Sequence, residues 1–168
     1  MNITIIAAIS ADGKIAERTS QSSMDWSSKE DMRFFVEKTK EARAMIMGRT
    51  TFETIGKPLK DRLIIVLSRE PGKSIPGQVE WTSESPQTIV SNLERRGYTN
   101  VIIAGGSQIY TLFLQERLVT DLYLTIEPVL FGSTGVPFIA DTGRINLRLL
   151  ETTSLSPQSV VHHFEVVQ

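Results

Sequence analysis

The 168-residue chain contains no cysteine. Disulfides, thiolate nucleophiles and Cys-based zinc or iron–sulfur sites are thereby excluded. Histidine is scarce: His162 and His163 are the only two, and they are consecutive. Neighbours on a strand face opposite sides, so this pair does not converge on one ion, and no carboxylate cluster of ligand spacing accompanies it. Both read as structural, and no metal is expected. No charge sign dominates, since 18 Lys and Arg stand against 19 Asp and Glu for a net charge of -1. A domain that binds nucleic acid mainly through charge carries a basic excess, so no nucleic-acid partner is expected. Long apolar runs are missing, because Ile5–Ile9 and Leu63–Leu67 fall far short of the ~18 residues of a membrane span. No basic segment precedes the first apolar stretch, so a signal peptide is not expected and the cytoplasm is the expected location. Repeats, low-complexity tracts and linkers are absent, and Pro and Gly are scattered as turn punctuation. Residues 1–168 are therefore expected to form one domain.

What is present alternates. Short β-branched runs at Ile3–Ile9, Ala44–Met47, Leu63–Leu67, Val101–Ala104 and Leu122–Ile126 predict strands buried on both faces. Helical patterns fall between them. Ser27-Ser28-Lys29-Glu30 has the form of a capping box with Ser27 as N-cap, opening a helix to about Ala42 with Met32, Phe35, Val36 and Thr39 on one face. A second helix is expected over Pro86–Arg96 and a short third after Gly106. Leu147–Thr153 and Val160–Val167 read as an antiparallel hairpin around Ser154–Ser159. The fold class is α/β, with a mixed, mostly parallel central sheet flanked by helices and an antiparallel C-terminal hairpin. Ligands of such sheets sit at the carboxyl ends of the strands.

Two junctions at those ends are rich in small or donor residues: Gly48-Arg49-Thr50-Thr51, and Ala104-Gly105-Gly106-Ser107-Gln108. A helix N-terminus binds phosphate through free N–H groups, and glycine admits close approach. Neither junction matches G-x-G-x-x-G or the Walker pattern, so each is equally a plain tight turn. Arg49 and Arg69 flank the same strand ends and suit a phosphate monoester or, alternatively, open solvent. Asp31 borders the apolar stripe near Trp26, Met32 and Phe35. It is either an acid on a cleft wall or a simple complement to the helix dipole. No Ser-His-Asp order and no G-x-S-x-G elbow is present.

In order along the chain, Ile6-Ala7-Ala8, Met24-Asp25-Trp26, Asp31-Met32-Arg33-Phe34-Phe35, Ile46–Leu59, Arg62, Leu67-Ser68-Arg69, Ala104–Tyr110 and Leu122–Thr125 resemble dihydrofolate reductase. The specificity lies in the ensemble and in the five-residue step from Trp26 to Asp31. The resemblance implies reduction of 7,8-dihydrofolate to tetrahydrofolate by hydride from NADPH, a step of one-carbon metabolism. It also implies antifolates such as methotrexate or trimethoprim as inhibitors, in a monomer or a homodimer. By the same resemblance Asp31, Trp26 and Thr125 form the catalytic group. Ile6, Ala7, Ala8, Met32, Phe35, Ile55, Leu59, Arg62, Ala104 and Tyr110 would hold the substrate, with Arg62 on its tail carboxylate. Ala8, Ile15, Gly48, Arg49, Thr50, Thr51, Leu67, Ser68, Arg69, Gly105, Gly106, Ser107, Gln108 and Ile109 would hold NADPH. A cis Gly105–Gly106 bond is implied as well.

Ser10–Ala16 departs from this pattern and resembles the reductase domain of riboflavin biosynthesis. Reduction of a ribosylamino-pyrimidine phosphate is therefore the alternative, and a non-catalytic NADPH-binding sensor the third reading. Folate needs an acid for its ring and a cation for its tail, which Asp31 and Arg62 provide. The Ser- and Thr-rich loop Asp12–Ser23 is expected to be mobile.

Overall fold

The computed structural model describes residues 1–167. Its strands are β1 (Asn2–Ser10), β2 (Lys14–Ala16), β3 (Ala44–Gly48), β4 (Leu63–Leu67), β5 (Val79–Thr82), β6 (Asn100–Ile103), β7 (Asp121–Glu127), β8 (Val136–Pro137), β9 (Asn146–Ser154) and β10 (Val160–Val167). Its helices are α1 (Lys29–Ala42), α2 (Arg49–Ile55), α3 (Pro86–Arg95) and α4 (Ser107–Gln115), with a short 3-10 turn at Ser23–Asp25. Eight strands make one sheet in the order β5-β4-β3-β6-β1-β7-β10-β9. Pairing is parallel from β5 to β7, and β10 runs against both its neighbours.

The apolar runs of β1, β3, β4 and β6 are buried because helices cover both faces. Ile5, Ile46, Ile65 and Ile103 pack with Ile89 and Leu93 of α3 and Phe113 of α4. Met45, Met47, Ile64 and Val66 pack on the other face with Phe35 of α1 and Phe52 of α2. Each such side chain contributes about 1.5–3 kcal/mol on burial. The hairpin at the end of the chain is present as expected, as β9 and β10. His162 and His163 alternate on β10: His162 Nδ1 lies 2.8 Å from Thr152 Oγ1, and His163 Nε2 lies 2.9 Å from Asp121 Oδ1.

Three expectations are corrected. The N-cap of α1 is Ser28, not Ser27, and Glu30 pairs with Arg33 at 3.1 Å instead of closing a capping box. The strand expected through Ala104 ends at Ile103, where the chain turns into the two glycines before α4. The segment Asp12–Ser23 is not wholly irregular, because Lys14–Ala16 pairs with β8 in a small second sheet. Among the described residues no helix is long and apolar enough to cross a membrane.

Candidate active site

A cleft of about 1120 Å3 opens at the carboxyl ends of β1, β3, β4 and β6. A single-ligand site usually encloses roughly 300–1,000 Å3, so this one has room for more than one organic molecule. Asp31 reaches it from α1 and Arg62 from the start of β4, and both line the same cavity. Met32, Phe35, Ile55 and Leu59 supply apolar wall, and Ile6, Ala7, Ala8, Ala104 and Tyr110 the floor at the strand ends. The structure also brings Ile15, Gly48, Arg49, Thr50, Thr51, Leu67, Ser68, Arg69, Gly105, Gly106, Ser107, Gln108 and Ile109 into the lining.

Asp31 is 5% exposed. Burial raises its pKa above the ordinary 3.8; the hydroxyls of Thr125 and Ser27 favour the anion, and the negative charge of Glu127 opposes it. Neither hydroxyl closes a short hydrogen bond, for Thr125 Oγ1 and Ser27 Oγ are buried without a partner among the described residues. Tyr110 closes the floor, its hydroxyl donating to the Ile6 carbonyl at 2.9 Å. Burial, with Asp31 nearby, pushes that phenol's pKa up.

Arg62 is buried, and its Nε donates to the Lys60 carbonyl at 3.0 Å and its Nη1 to Thr39 Oγ1 at 3.0 Å. Burial lowers its pKa while Asp61 raises it. A guanidinium stays protonated across the working range, so this is a fixed cation aimed by two internal bonds.

The two glycine turns meet where Gly48 N–H donates to the Gly105 carbonyl at 2.8 Å. Gly48 and Gly106 cap α2 and α4 with no side-chain bond, so their first-turn N–H groups have no capping oxygen. A Cβ on Gly48 would meet Ile109 Cγ1 at 3.1 Å, which is why a small residue stands there. The Gly105–Gly106 bond is cis. Arg49 is held on the rim by Glu53 at 3.6 Å and by Glu70, whereas Arg69 has no ion pair among the described residues.

Two expected residues stand behind the lining. Thr125 is fully buried in β7, and Trp26 packs edge-on against Phe131 with its Nε1 buried and without a partner among the described residues. Sequence reasoning missed the Arg18–Met24 stretch of lining, and it missed Glu127. Glu127 is 4% exposed and accepts from Ser28 N–H at 2.9 Å, Ser28 Oγ at 2.7 Å and Ser159 Oγ at 2.6 Å. The available signal was an acid two positions after Thr125, on the same inward face of a β-branched strand.

The sequence model of the family described as dihydrofolate reductase matches residues 2–143. The chain belongs to the dihydrofolate reductase family. A dihydrofolate reductase of Buchnera aphidicola is 34% identical over 139 residues, covering 82% of this chain and 78% of its own. Solved structures that share the fold include the following two. A putative riboflavin biosynthesis protein from Shewanella sp. PV-4 superposes with TM-score 0.82 at 20% identity, over 100% of both chains. The Enterococcus faecalis dihydrofolate reductase complexed with NADP(H) superposes at 0.76 and 24%, over 99% of this chain and 97% of its own.

A member of the dihydrofolate reductase family is an NADPH-dependent oxidoreductase, and this chain is one. The cleft fits that cofactor. The paired glycine turns offer uncapped N–H groups for a pyrophosphate, and Ser68, Thr51, Arg49 and Arg69 bring hydroxyls and cations to the same wall.

Proposed function

We propose that the protein reduces 7,8-dihydrofolate to tetrahydrofolate, the whole chain acting as one reductase domain. The observation that carries this reading is the presence of a buried carboxyl, Asp31, and an internally aimed guanidinium, Arg62, in one cleft. A flat, basic heterocycle with an anionic tail meets both.

NADPH supplies the hydride when bound. Gly48, Gly105 and Gly106 with Thr50, Thr51, Ser107 and Gln108 would hold its pyrophosphate, and Arg49, Ser68 and Arg69 its phosphate monoester. Asp31 takes two hydrogen bonds from the pterin and biases its protonation. Thr125 supports Asp31 from below. The unpartnered Trp26 Nε1 is a donor able to hold a water beside the substrate. Met32, Phe35, Ile55 and Leu59 exclude solvent from the ring, which strengthens each polar contact. Arg62 pairs with the tail carboxylate through its remaining Nη2 edge. Orienting substrate and cofactor in one cleft would be the main contribution of the protein.

Reduction of a ribosylamino-pyrimidine phosphate is the second reading. It is favoured by the fold-level likeness to the Shewanella protein and by the Ser10–Ala16 stretch. That substrate does not need an acid and a cation at these two positions. Loss of NADPH absorbance with dihydrofolate, and its block by methotrexate, are expected. Turnover of the pyrimidine alone would overturn the folate reading, and tight NADPH binding with neither substrate reduced would leave a sensor.

A further inference from the structure

In a capping box the acid at the third helical position reaches back to the N–H of the N-cap residue. In α1 that acid is Asp31 and that N-cap is Ser28, whose hydroxyl accepts the Asp31 N–H at 3.1 Å. The return bond is not made by Asp31. Ser28 N–H donates to Glu127 Oε1 at 2.9 Å, and Ser28 Oγ to the same oxygen at 2.7 Å. Ser159, in the turn before β10, donates to Glu127 Oε2 at 2.6 Å. One buried carboxylate at the end of β7 thus ties α1 to the C-terminal hairpin and occupies the donor that Asp31 would otherwise take.

We propose that Glu127 is a positioning residue for Asp31: by capping α1 in its place, it leaves the Asp31 carboxyl free to face the cleft. This rests on the assignment of Asp31 to substrate binding. Thr125 and Glu127 share one face of β7, so a single strand both supports Asp31 and relieves it. Glu127 acts through charge as well as through hydrogen bonds, since a nearby anion makes Asp31 hold its proton more tightly. The other groups around Asp31 are the Ser27 hydroxyl from the segment before α1 and the Tyr110 phenol from α4. Ile6, Ala7 and Ala8 of β1 bring no charge to the cleft.

The test is a carbon-13 NMR titration of the Asp31 carboxyl in the ligand-free protein, in wild type, Glu127→Gln and Glu127→Ala. The amide of Glu127→Gln can still accept from Ser28 N–H and donate to Ser159 Oγ, so the cap survives and only the charge is lost. Its Asp31 midpoint is expected to fall by about one pH unit. Glu127→Ala also frees the Ser28 N–H for Asp31, and its midpoint is expected to fall further. Midpoints equal to wild type in the folded variants would overturn the proposal. A wild-type measurement decides the matter if the variants do not fold. A through-hydrogen-bond coupling from the Ser28 nitrogen to the Glu127 carboxyl carbon is expected, and one to the Asp31 carboxyl carbon instead would overturn the proposal. Neither readout uses substrate, so a failure to reduce dihydrofolate would sink the functional reading and leave this result standing.

Discussion

Burying a carboxyl against Met32 and Phe35 favours its neutral form, and Asp31 is the residue where that physics meets the proposed chemistry. Asp31→Asn keeps the shape and removes the titratable carboxyl. Turnover with dihydrofolate at neutral pH is expected to fall roughly 100-fold, measured as loss of NADPH absorbance, and near-normal turnover would remove Asp31 from the mechanism. Arg62 differs because its contribution is to binding. Arg62→Ala is expected to weaken dihydrofolate binding by about 2 kcal/mol, or about 30-fold in Kd, with a pterin lacking the tail nearly unaffected. The two-ligand comparison matters because Arg62 also bonds to Thr39 and the Lys60 carbonyl, so the variant loses internal contacts too. Equal losses for both ligands would refute the pairing.

At the scale of elements, α1 delivers Asp31 and α2 and α4 deliver the glycine turns. Each delivery depends on how the helix begins. Ser28→Ala removes a cap and leaves Glu127 short of a donor. Caps are worth about 1 kcal/mol, and a buried carboxylate that loses a bond adds about as much again, so denaturant unfolding is expected to show a loss of about 2 kcal/mol. Ser27→Ala, at the position that looked like the cap, is expected to change stability far less. The rim cations belong to α2 and to the residues after β4. Replacing Arg49 and Arg69 together with Ala is expected to erode the preference for NADPH over NADH at least tenfold in kcat/KM. An unchanged ratio would place the phosphate monoester elsewhere.

For the whole molecule, the site sets a limit on stability. The pKa of Asp31 is raised in the folded state above its ordinary 3.8. Its contribution to stability is therefore fully present below that value and is lost as pH rises through the folded pKa. Ionising this carboxyl costs more in the folded protein, where it is buried, than in the unfolded chain, where water hydrates the anion. Asp31→Asn, whose activity falls, is thus expected to melt at a higher temperature than wild type at pH 7. The difference should shrink toward pH 4, in calorimetry across that window. A wild-type advantage at pH 7 would contradict the burial argument.

The parallel strands β1, β3, β4 and β6 were legible as short β-branched runs, because a strand covered on both faces must be apolar throughout. Edge strand β5, buried only at Val79, carried no such run and was not anticipated, and the hairpin was legible although its outer strand β9 is exposed along its length. The cleft residues were legible only through the family resemblance, because taken locally the glycine junctions read equally as plain turns and Asp31 equally as a complement to the helix dipole. The start of α1 was misplaced by one residue, since Ser27 and Ser28 are chemically equal in the chain and differ only in what lies opposite. What lies opposite is Glu127, 99 residues away. The position of Trp26 behind the lining and the commitment of two Arg62 donors have the same origin. Periodicity and turn chemistry act over a few residues and are written in the order of the chain. The partner of a buried polar group is chosen by packing between distant segments, and that appears only when the sheet brings β7, α1 and the hairpin together.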